Sequence, residues 1–285
     1  MPDRFIRRDG FFAFFEDIGP PGEGFVLFSP LHLAIMISTV IFVAAACILY
    51  KRAGSGARRK TLIALAVSVL VLDIIKHLSF PILHGVYFPF LLPFHLCRMA
   101  TVVTLIHAFR PNKMTGELLY ALFLPGALAA IIFNNWSDYP VLNYYFIHST
   151  YFHTVHLAFA FMIIISGEFR PSIKNLWKPV AFLAIVVPFL YWFNLQFGTN
   201  FFFLNAAAEG SPLEFFVYLV GVPWFIIPYA MTVAVVWLLM YIPWHIADRR
   251  ALKYASADDE QEYDECMAKA ATFVKDEENP LENVE

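Results

Sequence analysis

Up to residue 244 the chain alternates long apolar runs with short polar stretches, the runs lying near 30–50, 61–81, 91–109, 117–134, 144–167, 178–196 and 214–243. A helix rises 1.5 Å per residue and a bilayer core is about 30 Å thick, so about twenty apolar residues make a span. The pattern therefore predicts an all-α fold, a polytopic membrane helix bundle of about seven transmembrane helices. The last run contains Pro223 and Pro228, which remove backbone donors, and it is expected to be one kinked helix. Residues 1–29 mix aromatics with charges and glycine, as in FIRRDGFFAFFEDIGPPGEG, and read as an interfacial segment. The division that follows is an interfacial segment 1–29, a transmembrane domain 30–244 and an acidic tail 245–285.

Charge sharpens this picture and sets a direction. Only 15% of the residues are charged and 59% are hydrophobic; a soluble domain carries roughly a quarter charged residues. From His245 to Glu285 there are twelve acids and five bases, a net of -7, so the formal -3 leaves +4 on the preceding 244 residues. Alternate loops hold the bases: Lys51, Arg52, Arg58, Arg59 and Lys60, then Arg110 and Lys113, then Arg170, Lys174 and Lys178, then Arg249, Arg250 and Lys253. The intervening loops hold none, and only Arg4, Arg7 and Arg8 dissent. Basic loops stay cytoplasmic, so the N-terminus is expected outside, the C-terminus inside, and the protein in the plasma or inner membrane of the cell. Arg4, Arg7 and Arg8 are followed by Glu16, Asp17, Pro20 and Pro21 before any long apolar run, which does not read as a cleavable signal peptide. The tail from about 256 is too polar to bury a core and reads as a solvated segment.

Ionisable side chains inside apolar spans are costly and mark candidate sites. Span two carries Asp73, Lys76 and His77, with Asp73 on one face with the other two. Span three opens with Pro93, His95, Cys97 and Arg98, and span five carries His148, Ser149, His153 and His156, of which 149, 153 and 156 form one stripe. Asn194, Gln196 and Asn200 end span six. Under the expected topology these groups share the outer half of the membrane, as a polar cavity opening outward would, and the inner halves look nearly free of ionisable groups. The plainer alternatives are an intrahelical Asp73–Lys76 pair, histidines making structural hydrogen bonds, and Cys97 as a small packing residue.

A nucleophilic cysteine needs a stabilised thiolate, which a helix N-terminus or a nearby cation supplies. With Pro93 as first helical residue, Cys97 would lie about one turn in, beside Arg98. His95 is a poor base for it, two residues being about 200° around a helix. His148 or His153 of span five would serve instead. A thiol and base at that depth suggest acyl transfer from a lipid ester, with Cys97, His148 and His153 as catalytic candidates and Asp73, Lys76, His77, His95, Arg98, His156 and Asn200 as substrate-binding ones. The same charges would also suit a transporter or proton-coupled permease, and a non-enzymatic sensor signalling through the acidic tail is the third reading. Cys47, Cys97 and Cys266 lie too far apart for a disulfide framework and no CxxC spacing suggests zinc, so neither metal nor cofactor is expected. The expected partners are membrane lipids and not nucleic acid.

LLPFHLCRMA at 91–100, GTNFFFLN at 198–205 and SPLEFFVYLVGVPWF at 211–225 together resemble the YwaF-like family of bacterial seven-span membrane proteins, whose eukaryotic relative is transmembrane protein 164. FSPLH at 28–32 resembles that family's opening, and the likeness runs through nearly all of 28–244. The resemblance implies seven spans. Through the eukaryotic relative, regarded as a cysteine-dependent acyltransferase, it also implies movement of fatty acyl chains between phospholipids.

Overall fold

The computed structural model describes residues 10–13, 26–85, 88–134, 136–208 and 210–250, so most of the 1–29 segment and the acidic tail beyond 250 lie outside the described residues. The described chain is helical. In order the helices are α1 (Pro30–Arg52), α2 (Ser55–His84), α3 (Leu96–Phe109), α4 (Lys113–Ile132), α5 (Tyr144–Ile165), α6 (Trp177–Phe197), α7 (Pro212–Val220) and α8 (Ile226–Arg250). Six of them are long and apolar enough to cross a membrane, α6 with the short turn Ile173–Asn175 that precedes it, and α3 is a seventh, shorter apolar helix. Contacts divide the chain into Met1–Trp237 and Leu238–Glu285. Of the second unit, the described residues 238–250 continue α8.

Two expected boundaries move. Span three does not begin at 91: residues 91–95 are irregular and His95 is the N-cap of α3. The Phe94 N–H bonds to the Leu92 carbonyl two residues back (2.8 Å) and His95 is extended (φ -69, ψ 145), so Pro93 opens no helix and Cys97 becomes the second helical residue. Span seven is not one kinked helix but two, α7 and α8, separated at 221–225. Gly221 has φ 73 and ψ 174, a conformation essentially restricted to glycine, and Pro223 has no N–H with which to continue the ladder. Pro228 lies in the first turn of α8, where a missing donor costs nothing.

α5 is the hub, packing on α1, α2, α3 and α4. Sixteen of its 22 residues are buried, whereas α1 buries four of 23 and presents Ile37, Val40, Ile41 and Leu49 outward, as a lipid-facing helix does. α4 contains a π turn at Leu119–Phe123. Pro125 cannot donate to the Ala121 carbonyl four residues back; Trp237 Nε1 donates to it instead, at 2.8 Å.

The helix ends segregate by charge. At one end the basic segments 51–60, 110–113 and 170–178 meet: Tyr50 Oη donates to Glu168 (2.7 Å), Arg58 pairs with Glu168 (3.4 Å) and Arg59 reaches the Phe109 carbonyl (3.4 Å). Beneath them His107 Nδ1 bonds Thr115 Oγ1 (2.7 Å), and fully buried Glu117 accepts from the Ser172 N–H (3.1 Å). Gly116 lies under the Phe169 ring, which a Cβ there would strike.

At the far end, His32 ties α1 to α4. Its Nδ1 accepts from the Phe28 N–H (2.8 Å), so Nε2 carries the proton and donates to the Ile131 carbonyl (2.9 Å). Ser29 caps the helix by accepting from the His32 N–H, which accounts for the FSPLH run. Residues 10–13 strap the start of α5 at this end. The Tyr144 N–H donates to Phe11 O (2.7 Å), and Asn143 accepts from the Tyr145 N–H while donating to Ala13 O (2.9 Å).

Candidate functional site

α3 has 14 residues, about 21 Å of helix, and its last residue lies at the basic end. Set against a core about 30 Å thick, a helix of this length starting at the near surface stops short of the far one. Irregular backbone at such depth is tolerated where protein buries it, and here aromatic packing does so. Phe94 meets the rings of Phe189, Phe193 and Phe201 edge-on at 5.4–5.7 Å. His95 makes no capping bond; its ring stands 5.0 Å from Phe201 and 5.7 Å from Phe203.

The partner of this turn is the 198–205 loop. Asn194, fully buried, accepts from Thr199 Oγ1 (2.8 Å) and the Phe201 N–H (2.9 Å) and donates to Phe201 O (2.9 Å). Asn200 binds only its own loop, accepting from the Asn205 and Ala206 N–H groups and donating to Ala206 O. These bonds hold Phe202 and Phe203 at φ 59 and 56, a conformation that bulky residues rarely adopt. The LPFHLC and GTNFFF boxes, about a hundred positions apart, thus touch.

Next to this turn, the Asp73 carboxylate of α2 is approached by three groups. His148 Nε2 of α5 lies 3.6 Å from Oδ1, Arg98 Nε of α3 lies 4.0 Å from Oδ1, and His77 Nδ1 lies 3.5 Å from Oδ2 while bonding the Asp73 carbonyl at 2.7 Å. Lys76 extends over the Phe80 ring, 5.9 Å from its centroid. Cys97 packs against Val69, Phe152 and Val155, with Arg98, Lys76 and Asp73 as the charges acting on it. His148 flanks the same Phe152 ring, at 5.3 Å. Asp73, Lys76, His77, Cys97, Arg98 and His148 are therefore gathered where three helices meet.

The other predicted residues lie around this cluster. His153 bonds the Ser149 carbonyl (2.7 Å) and stacks on Trp136 at 4.8 Å with an interplanar angle of 7°, which fixes its ring against the 133–143 loop. His156 bonds the Phe152 carbonyl (2.7 Å), and its Nε2 is buried with no hydrogen-bond partner among the described residues. His95 belongs to the α3–loop contact and Asn200 to the loop itself. Among the described residues, no group of three or more His, Cys, Asp or Glu is arranged to hold a metal ion.

Several contributors were not anticipated. Tyr144 donates to the Leu72 carbonyl (2.7 Å) and lies 6.0 Å from His148, roofing the cluster under the 10–13 strap. Tyr145 joins Ser79 (2.9 Å) and His84 (3.0 Å). Toward the basic end, Thr101, Thr104 and His107 continue the Cys97 side of α3, all three buried. With Glu117, His107 corrects the expectation that the inner halves hold almost no ionisable groups. An i, i+3, i+4 reading of α3 from Cys97 would have found these residues.

Comparison with curated proteins returns no match, and comparison with solved structures returns none. The family model described as TMEM164 family matches residues 27–241, the strap at 10–13 lying outside the match. On that match, with its several membrane-spanning helices, the chain is a multi-pass membrane protein belonging to the TMEM164 family.

Proposed function

We propose that this protein is a membrane-embedded lipid acyltransferase, able to act as a hydrolase when water replaces the acceptor, with Cys97 as its nucleophile. The observation that carries the reading is the placement of Cys97 as second residue of α3, beside Arg98 and packed against the cluster of Phe152, whose ring His148 flanks with Asp73 at 3.6 Å. A helix N-terminus and a cation favour a thiolate, and a carboxylate 3.6 Å from one histidine nitrogen favours the imidazolium that forms when the other takes a proton. Of the two histidines considered as base, His148 stands in the cluster and His153 is held by Trp136. The basic end faces the cytoplasm by the positive-inside rule, which puts the cluster in the outer half of the bilayer of a plasma or inner membrane.

The chemistry follows in two steps. His148 takes the thiol proton as the Cys97 sulfur attacks the ester carbonyl of a glycerolipid. The tetrahedral adduct collapses to a thioester and expels the lysolipid alkoxide, which takes the proton from His148. A lysolipid hydroxyl, or water, then attacks the thioester, gives its proton to His148, and the ester or fatty acid leaves as the thiolate recovers that proton.

The test is acylation of the full-length protein in phospholipid nanodiscs by a fatty-acyl probe. Cys97→Ser abolishes hydroxylamine-sensitive labelling and lipid acyl exchange, while Cys47→Ser leaves both unchanged. His148→Ala slows labelling by about 10²-fold or more, and His153→Ala does so by less. Acyl exchange surviving in the Cys97→Ser protein overturns the reading. It would shift the weight to a transport path, which one observation favours: Thr101, Thr104 and His107 carry polar groups from the cluster toward the basic end.

A further inference from the structure

Resting on Cys97 as nucleophile, we infer that the first turn of α3 is an oxyanion site. The N–H groups of Leu96 and Cys97, together with Arg98 Nη1, hold the carbonyl oxygen of the lipid ester as it becomes tetrahedral, and hold the carboxylate of a fatty acid after hydrolysis.

Three observations converge on it. The His95 carbonyl takes the Arg98 and Met99 N–H groups (3.0 and 3.1 Å), while the Leu96 and Cys97 N–H groups have no acceptor among the described residues. At the far end α5 solves the same problem internally, with Asn143 and Phe11 taking the Tyr145 and Tyr144 donors. α3 instead turns its cap side chain toward Phe201 and leaves two donors of its first turn, one of them the nucleophile's own N–H, without an acceptor among the described residues. Donors so placed bind an anionic oxygen.

Second, the side chains around this turn carry buried polar atoms with no partner. Arg98 Nη1 is one. Both nitrogens of His148, 4% exposed, and Oγ1 of Thr101, 3% exposed and one turn along from Cys97, are others. A buried polar atom without a partner is costly unless a ligand completes it. Third, the charges do not balance: two cations, Arg98 at 4.0 Å from Asp73 and Lys76 over the Phe80 ring, stand in the cluster with the single carboxylate of Asp73, and both act on Cys97. The surplus positive charge at a helix N-terminus, away from water, is complementary to an oxygen that acquires charge during reaction. Asp73 lies 4.0 Å from Nε, on one edge of the guanidinium, and Nη1 is left without a partner among the described residues.

The experiment compares two reactions of the same thiol in the full-length protein in nanodiscs. Acyl-Cys97 formation from phospholipid passes through an oxyanion; alkylation by iodoacetamide does not. Arg98→Gln is expected to slow single-turnover acylation by about 10²–10³-fold while alkylation of Cys97 changes by less than 10-fold. Arg98→Lys, which keeps the charge but not the planar fork, falls between, and it carries the test if Arg98→Gln does not fold. Equal loss in both reactions would assign Arg98 to the thiolate alone and overturn the oxyanion site, as would unchanged acylation.

If the parent protein forms no acyl-Cys97, the nucleophile assignment fails instead, and radiolabelled oleate binding decides the site. The donors described here predict at least 10-fold weaker binding in Arg98→Gln, and equal binding overturns the proposal.

Discussion

The basic end and the Asp73 cluster hold similar residue types and use them differently. At the basic end Tyr50, Arg58, His107, Thr115 and Glu117 each meet a partner at 2.7–3.4 Å, and none of their atoms is among the buried orphans. In the cluster the approaches to Asp73 stretch to 3.5–4.0 Å, and Asp73 Oδ1, Arg98 Nη1, His77 Nε2 and His148 are left with donor or acceptor capacity unused. A satisfied buried network rigidifies; an incompletely satisfied one is expensive and persists where a ligand completes it. The first region fastens helices, and the second is built to receive something.

The largest effect should separate the two regions by what they lose. Glu117→Ala, which removes the fully buried carboxylate that takes the half-buried Ser172 N–H, is expected to cost about 3 kcal/mol of stability with acyl labelling retained at temperatures where the protein stays folded. Thermal unfolding in nanodiscs measures the first and probe labelling the second. Labelling lost in the folded protein would erase the distinction.

Within the cluster, Asp73→Asn and Arg98→Gln should be coupled, because each leaves the other's charge buried without its counterion. A double-mutant cycle on unfolding should return an interaction of about 1–3 kcal/mol, the double change costing less than the sum. Strict additivity would mean that the 4.0 Å approach has no energetic content.

The smallest effect is the sharpest contrast, since it uses one substitution at two places. Thr115→Val removes a hydroxyl bonded to His107 and to Asn112 O and should cost about 1 kcal/mol. Thr101→Val removes a buried hydroxyl that has no partner and should be neutral or stabilising. Equal costs would show that Thr101 has a partner after all.

Much of the bundle was legible because apolar length is a strong signal: the runs near 30–50, 61–81, 117–134, 144–167 and 178–196 each coincide with a helix. The two misplaced boundaries turned on single backbone positions. An extended His95 delayed α3, and Gly221 at positive φ broke the last run, neither of which hydropathy weighs. In the cluster, Asp73, His77 and Arg98 were readable from depth and helical spacing. His153 was not separable from His148 because Trp136, which stacks on it, arrives from a loop. The basic-end network was invisible for a related reason. Glu168 pairs with residues 110 and 118 positions away, and Glu117 with one 55 away, and no periodicity within one helix reports such distances.

The strap carries a consequence for biosynthesis. Ala13 and Asn143 are 130 positions apart, so at ribosomal rates of roughly 5–20 residues per second the strap is made on the order of ten seconds before its seat. Residues 10–13 thus wait through the synthesis of four hydrophobic helices before their carbonyls find the Tyr144 and Asn143 donors. The strap is fastened only after α4 has been made, and fusing a bulky folded tag ahead of it would delay that closing step rather than the insertion of the helices behind it.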